Sequence, residues 1–162
     1  ITASVSIPTG GADGVLLTHG NRHGGYSLYV AGGRLYYVHN YLGLDRFTVS
    51  ATATLPSGDL VLRADVESTG PPVFGKGHGG PAEVRLFVGD ELVGEGSLPH
   101  TVPNLFATAG LSCGYAAFDS VDPAAYEAPF TFTGTIDRVV LDLSGELVVH
   151  PASDMTRLMS QQ

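Results

Sequence analysis

The sequence predicts an all-β protein built from two antiparallel sheets packed face to face. Apolar and polar residues alternate with a period of two along most of the chain, as in strands that have one buried and one solvated face. Short glycine- or proline-containing turns separate these runs without helical segments between them, so neighbouring strands are expected to be antiparallel. The 22 Gly and 10 Pro among the 162 residues are what many turns require.

The N-terminal third predicts a tight hairpin. Its two alternating runs cover residues 26–31 and 34–41, and Gly32-Gly33 between them permits the positive φ angles of a primed two-residue turn. A short apolar strand, Val15-Leu16-Leu17, precedes the hairpin. These segments should form three neighbouring strands.

Further alternating runs predict strands in the middle of the chain. Residues 47–55 alternate as far as the turn Pro56-Ser57-Gly58, and residues 60–67 follow it. Residues 82–88 and 91–98 flank Gly89-Asp90, a pair typical of a type II′ hairpin.

The C-terminal part predicts a bulged strand and a helical tail. The parity of apolar positions in residues 130–143 changes at Asp137-Arg138, which indicates a β-bulge or bend. Gly145 then turns into a last strand, 147–150, which completes a sandwich domain of residues 1–150. The tail, residues 151–162, places Met155, Leu158 and Met159 at helical spacing after a Ser153 cap; the alternative is a disordered end.

The predicted core combines inward-facing residues of several strands. Its members are Phe47, Val49, Leu60, Leu62, Val84, Leu86, Phe132 and Ile136. Two long connections interrupt the strand pattern, residues 70–81 and 101–129.

Composition excludes several classes of partner. The formal net charge of −8 argues against nucleic acid and anionic membrane surfaces. No apolar run is long enough to span a bilayer. A single cysteine excludes an intramolecular disulfide and leaves the compartment undecided. Because the chain begins at Ile1 rather than Met, we expect it to be a segment of a longer protein.

Two short motifs resemble catalytic loops but lack the secondary structure that such loops require around them. Residues 70–77 nearly match the phosphate-binding GxxxxGK[ST] pattern, but Gly77 replaces the hydroxyl residue and a strand follows instead of a helix. Residues 110–114 match GxSxG around Ser112, with Asp137 or Asp142 and then His150 in hydrolase order. That motif needs a strand, a sharp turn and a helix on a parallel sheet. The favoured interpretation is a flexible loop for residues 70–77 and an ordinary strand for residues 110–114.

Histidines, aspartates and tyrosines are the candidate ligand-binding groups of this sequence. His19 and His23 lie in a glycine-bounded turn, and His39 shares the parity of buried neighbours, which favours a satisfied, partly buried histidine. The aspartates at 119, 122, 137 and 142 lack the spacing of a known calcium loop. Several tyrosines could stack on sugar rings, although tyrosine is also an ordinary strand residue. No metal site is predicted.

An ordered set of short stretches resembles the C-terminal domain of bacterial arylsulfatases. They are residues 14–16 (Gly-Val-Leu), 24–30 (Gly-Gly-Tyr-Ser-Leu-Tyr-Val), 33–43 (Gly-Arg-Leu-Tyr-Tyr-Val-His-Asn-Tyr-Leu-Gly), 55–58 (Leu-Pro-Ser-Gly), 75–77 (Gly-Lys-Gly), 86–94 (Leu-Phe-Val-Gly-Asp-Glu-Leu-Val-Gly), 101–103 (Thr-Val-Pro) and 129–136 (Pro-Phe-Thr-Phe-Thr-Gly-Thr-Ile). The likeness covers residues 1–143 and implies a concanavalin A/laminin G-like jelly roll. It departs from the family at residues 111–116, where two acidic residues and an arginine are replaced.

The resemblance implies a non-catalytic accessory role. In such enzymes an upstream domain carries the formylglycine nucleophile, made from a CxPSR-type motif, and works beside calcium. Cys113 is followed by Gly-Tyr-Ala-Ala and is not that nucleophile, so this chain is expected to be inert and to hold no cofactor of its own.

The expected partner is the upstream sulfatase catalytic domain of the same chain, with its carbohydrate or sulfate-ester substrate as a further contact. The candidate binding or domain-interface residues lie in two glycine-rich loops and are Arg22, His23, Phe74, Lys76 and His78. The alternatives are a carbohydrate-binding, lectin-like module and an adhesion-type interaction module.

Overall fold

The computed structural model describes residues 1–103, 110–116 and 118–143. These residues form two antiparallel sheets of five strands each, which confirms the predicted all-β class and two-sheet organisation. The predicted last strand at 147–150 and the helical tail at 151–162 lie outside the described residues. Within the described ranges, no helix is long and apolar enough to cross a membrane.

The ten strands divide evenly between the sheets. They are β1 Thr2–Ile7, β2 Gly14–Asn21, β3 Gly24–Ala31, β4 Arg34–Tyr41, β5 Asp45–Ser50, β6 Gly58–Ser68, β7 Ala82–Val88, β8 Glu91–Leu98, β9 Leu111–Cys113 and β10 Thr135–Val140. Sheet I has the order β10-β1-β6-β7-β8, and sheet II has the order β5-β4-β3-β2-β9. A single 3₁₀ turn, Phe74–Lys76, lies in the β6–β7 loop.

Both predicted tight turns are confirmed. Gly32 and Gly33 have φ angles of 55° and 71° between the paired strands β3 and β4, as a type I′ turn requires. Gly89 has a φ of 58° between β7 and β8, the positive angle that a type II′ turn needs at its first central position. Glycine at these positions therefore fixes the register of two hairpins.

The predicted strand over residues 47–55 was wrong beyond its first half. β5 ends at Ser50, and the chain then crosses from sheet II to sheet I. The Ala51 N–H donates to Leu35 O at 2.8 Å, whereas the next N–H, of Thr52, donates to Val93 O in β8 at 2.8 Å. Ala51 is buried and Leu55 packs against the core, but Ala53 between them is exposed, so the alternation here does not mark a continuous buried face.

The C-terminal strand begins later than predicted but carries the predicted bulge. Thr131 makes only an isolated bridge to β2, and β10 starts at Thr135. Ser4 pairs with Arg138 and Val5 with Ile136, so Asp137 is the extra residue on β10. β1, which the sequence did not single out, is the central partner of both β6 and β10.

The main core lies between the two sheets. Five of the predicted members are buried in it: Val49, Leu62, Val84, Leu86 and Phe132. The other three, Phe47, Leu60 and Ile136, are partly buried and pack against it. The sheets approach most closely where β8 passes β5, since a Cβ added at Gly94 would lie 2.4 Å from the Ser50 carbonyl oxygen.

The segment after β9 covers the outer face of sheet II. A second apolar cluster joins Val15, Tyr29 and Val38 of the sheet to Ala116, Val121 and Tyr126 of this segment. The Tyr126 hydroxyl donates to Ser27 Oγ at 3.1 Å, and the Tyr29 hydroxyl donates to Asp122 Oδ2 at 3.2 Å. Burial, followed by the Asp122 charge, raises the pKa of Tyr29 above its ordinary value. The central strands of sheet II, β2 to β4, are therefore covered on both faces.

Candidate functional site

Both predicted interface loops contact the same turn at one end of the sandwich. The β4–β5 turn, residues 41–44, lies between them. On one side a Cβ added at Gly43 would lie 3.1 Å from the Arg22 carbonyl oxygen. On the other side, the Tyr41 hydroxyl donates to Gly77 O at 3.1 Å. The structure thus brings together residues 20–25 and 70–81, which are far apart in sequence.

The β4–β5 turn is held in an unusual backbone conformation. Leu42 has a φ of 53° and Gly43 a φ of 73°, and the Leu44 N–H donates to Tyr41 O at 2.9 Å. A left-handed leucine costs roughly 1–2 kcal/mol, so the surrounding contacts must hold it in place.

Asn40 supplies those contacts. Its Oδ1 accepts the Gly43 N–H at 2.8 Å, and its Nδ2 donates to Arg22 O at 3.1 Å and to Val121 O at 2.8 Å. The side chain is fully buried. One asparagine therefore ties together the β2–β3 turn, the β4–β5 turn and the segment that covers sheet II.

Arg22 is ion-paired. Its Nη2 lies 2.8 Å from Asp119 Oδ1, and its Nε donates to both carboxylate oxygens at 2.9 Å. The hydrogen bond from Arg22 holds the pKa of Asp119 below its ordinary value. Arg22 thus links the β2–β3 turn to the covering segment. His23 beside it is exposed, and its backbone N–H donates to Asn21 Oδ1 at 2.8 Å.

His78 belongs to a histidine–aromatic cluster, formed by Tyr41, Phe47, His78 and His100. The two imidazoles stack at 4.1 Å and 11° between their planes, and the Tyr41 ring meets each of them edge-on. Phe47 adds a further edge contact to His100 at 5.0 Å. His100 Nε2 lies 3.5 Å from Asp45 Oδ2. These contacts dock the β6–β7 loop onto the sandwich.

The remaining predicted residues of that loop lie in its single 3₁₀ turn. Phe74 begins the turn and Lys76 ends it, with the Lys76 N–H donating to Val73 O at 2.9 Å. Lys76 is exposed. Val73 and His78 pair with each other, so the loop closes on itself and then enters β7. This geometry differs from a phosphate loop, which opens a helix.

The GxSxG motif forms an edge strand, as the favoured interpretation predicted. Ser112 lies in β9 and pairs with Thr18 of β2, and the Gly114 N–H donates to Leu16 O at 3.1 Å. Cys113 is exposed, and partial burial of its thiol raises the pKa above its ordinary value. His150, the candidate base, lies outside the described residues.

His39 is a satisfied core histidine, as predicted. Its Nε2 accepts the Val102 N–H at 2.9 Å, and the residue is 7% exposed. Burial lowers its pKa to about 4, and the nearby His100 contributes in the same direction. His19, by contrast, lies in β2 rather than in a turn, and its ring meets the Tyr26 ring edge-on at 5.6 Å.

A cavity of about 400 Å³ lies between the sheets beside His39. Sheet II contributes His19, Tyr26, Tyr37 and His39 to its wall, and sheet I contributes Ala64 and Val66. Ile1, the paired Gly20 and Gly25, and residues 101–103 and 141–143 complete its lining. This cavity could not be predicted from the sequence because its wall combines four strands from two sheets.

The tyrosines considered for sugar binding mostly contact one another. Tyr29 and Tyr36 stack at 5.2 Å and 9°, and Tyr26 and Tyr37 at 6.4 Å and 19°. Tyr41 is buried in the histidine–aromatic cluster. Their ring faces are therefore used within the fold.

The acidic residues considered for calcium are engaged separately. Asp119 pairs with Arg22, and Asp122 accepts from Tyr29. In the part of the chain that the structure describes, no three His, Cys, Asp or Glu residues gather in a metal-binding arrangement.

Sequence reasoning missed several residues of this site. The clearest are Asn40, Asp45, His100 and Asp119, whose partners lie in other elements. The Asn-Tyr-Leu-Gly stretch at 40–43 was one available signal, because asparagine and glycine favour such turns.

No family model matches this chain, and no curated protein matches it.

Proposed function

We propose that this chain is a non-catalytic accessory domain of a sulfatase-type hydrolase, with a concanavalin A/laminin G-like jelly roll, that docks on an upstream catalytic domain of the same chain. The ordered resemblance to arylsulfatase C-terminal domains motivates the family. The observation that carries the docking role is the convergence of the two glycine-rich loops on the β4–β5 turn.

The convergent end offers a preformed contact surface. Asn40 and the Arg22–Asp119 pair fix the turn and one loop, while the stacked imidazoles of His78 and His100 fix the other. A surface that is already ordered loses less conformational entropy when a partner binds. Leu44, 76% exposed, stands at the tip of the central turn.

The exposed basic residues favour the same end of the sandwich as the contact surface. Arg22, Arg46 and Lys76 are exposed and lie in or beside the converging turns, and they are three of only eight basic residues in an acidic chain. Asp119 pairs with Arg22 and Asp45 precedes Arg46, so the local excess of positive charge is small. The exposed Arg46 and Lys76 favour an acidic protein surface or a sulfate ester as the contact. A carbohydrate-binding role is less well supported, since most tyrosine faces pack against one another.

Hydrogen exchange of this chain alone and of the longer protein tests the docking role. Exchange in residues 20–25 and 70–81 should slow in the longer protein because its catalytic domain covers them. The matched controls are the Gly32-Gly33 turn between β3 and β4 and the Gly89-Asp90 turn between β7 and β8. They lie at the other ends of these strands and should exchange equally in the two proteins. Equal exchange of both loops in the two proteins would overturn the docking role.

Two further measurements address the sulfatase assignment. The coding sequence upstream of Ile1 should encode a CxPSR-type motif, and its absence there would remove the family assignment. The 162-residue chain should hydrolyse an aryl sulfate no faster than buffer, with or without calcium. Turnover that disappears in Ser112→Ala or Cys113→Ala would contradict the non-catalytic role.

A further inference from the structure

The inward face of β6 is left partly uncovered. Side chains two residues apart on a strand share a face, and Leu62 and Ala64 of β6 are buried in the core between the sheets. Val66 continues this face, yet it is 42% exposed. Its side chain borders the cavity of about 400 Å³ described above. Among the residues that the structure describes, the space opposite Val66 is therefore a gap between the sheets.

Glycine keeps one wall of the cavity bare. Gly20 and Gly25 are directly paired across β2 and β3, with φ angles of 117° and 129°. A Cβ at Gly20 would lie 2.1 Å from Gly24 O, and one at Gly25 would lie 2.0 Å from His19 O. No side chain fits at either position without moving backbone, because its Cβ would point at the paired strand, so neither position contributes a side chain to the cavity wall.

The remaining wall is mostly aromatic and apolar. Tyr26 and Tyr37 stack on each other, and His19 contacts Tyr26 edge-on. His39 is held neutral because its Nε2 accepts the Val102 N–H and because burial opposes protonation. A volume of about 400 Å³ is in the range of small-molecule pockets, which combine an apolar lining with a few polar groups.

The shape and charge of the gap restrict its ligand. Packed sheets lie roughly 10 Å apart, and a cavity of about 400 Å³ between them is wide enough for a flat ring system. The lining carries both signs of charge, an ammonium group at Ile1 and a carboxylate at Asp142, which favours a ligand without net charge. The apolar part of the lining disfavours a sugar, whose hydroxyl groups would lose hydrogen bonds to water.

We propose that the cavity between β6 and strands β2–β4 binds a small, uncharged, planar aromatic molecule of one or two rings. This site is separate from the convergent loops, and it does not depend on the sulfatase assignment.

Indole is a suitable probe for titration of the 162-residue chain. The chain has no tryptophan, so indole fluorescence is observed without a protein background of the same kind. Saturable binding with a shift of indole emission to shorter wavelength is expected. Absence of saturable binding up to the solubility of indole would overturn the proposal, as would saturable binding of galactose in its place.

Two phenylalanine variants of the same strand locate the site. Val66→Phe narrows the cavity, and we expect indole affinity to fall at least about tenfold. Val61→Phe is the matched control, because Val61 is 44% exposed on the opposite face of β6, and its affinity should equal that of the parent. Equal affinities in the two variants would place the indole elsewhere and contradict the proposal.

A second measurement does not depend on the folding of a variant. In the parent chain, indole should shift the NMR signals of the Val66 methyl groups and the Tyr26 ring, and leave those of the Val61 methyl groups in place. Shifts confined to residues outside the cavity wall would also overturn the proposal.

Discussion

Removal of the His39 imidazole should reduce the acid sensitivity of the fold. His39 is buried with its Nε2 accepting the Val102 N–H, and its pKa lies at about 4 in place of the ordinary 6.5. Above pH 6.5 the imidazole is neutral in the folded and unfolded states alike. Between pH 6.5 and about 4 the unfolded chain binds a proton that the folded chain does not, so the free energy of unfolding falls as the pH falls.

The magnitude follows from the two pKa values. They differ by about 2.5 pH units, and each unit corresponds to about 1.4 kcal/mol, so His39 accounts for a loss of about 3 kcal/mol by pH 4. That loss is a large fraction of the stability of a typical domain, which is about 5–15 kcal/mol.

Urea unfolding followed by circular dichroism, from pH 7 to pH 4, measures this loss. In His39→Gln the free energy of unfolding should fall by about 3 kcal/mol less over this range than in the parent chain. Carboxylates that titrate in the same range are present in both proteins and cancel in the comparison. The control His23→Gln removes an exposed imidazole and should follow the parent. Parallel pH profiles for His39→Gln and the parent would refute the reasoning.

Three further predictions concern packing and the surface ion pair. Leu86→Ala should lower the free energy of unfolding by about 2–5 kcal/mol, because Leu86 is fully buried, whereas Leu92→Ala on the neighbouring strand, 47% exposed, should cost less than about 1 kcal/mol in the same urea assay. Gly94→Ala places a methyl group against a backbone oxygen of β5 and should cost about 1–3 kcal/mol by thermal or urea unfolding. Arg22→Gln should raise the pKa of the Asp119 carboxyl in an NMR titration, and an unchanged titration would show that the pair is absent in solution.

The features that sequence predicted well are local ones. Gly32-Gly33 and Gly89-Asp90 determine their turns by backbone freedom at the turn itself, and the bulge at Asp137 appears as a change of parity within one strand. The alternation through residues 51–55 misled the prediction, because Ala53 has the parity of the buried Ala51 and is nevertheless exposed where the chain leaves one sheet for the other.

The candidate site was less predictable because its contacts are long-range. The two interface loops could be named from their glycine and charge, but their meeting at the Tyr41–Leu44 turn depends on sheet order. Arg22 pairs with Asp119, which lies 97 residues away, and no spacing rule connects them. The burial of His39 could be predicted from parity alone, since it follows from the alternation of inward and outward residues along its own strand.

The position of β1 makes the order of synthesis matter for folding. Strands β2 to β5 pair consecutively, so most of sheet II can assemble as soon as residues 14–50 have left the ribosome. β1 is made earlier but must wait for β6 on one edge and for β10, at Thr135–Val140, on the other. A nascent chain that stops short of Thr135 therefore leaves β1 as an unpaired edge strand of sheet I, where another unfinished chain can add a strand.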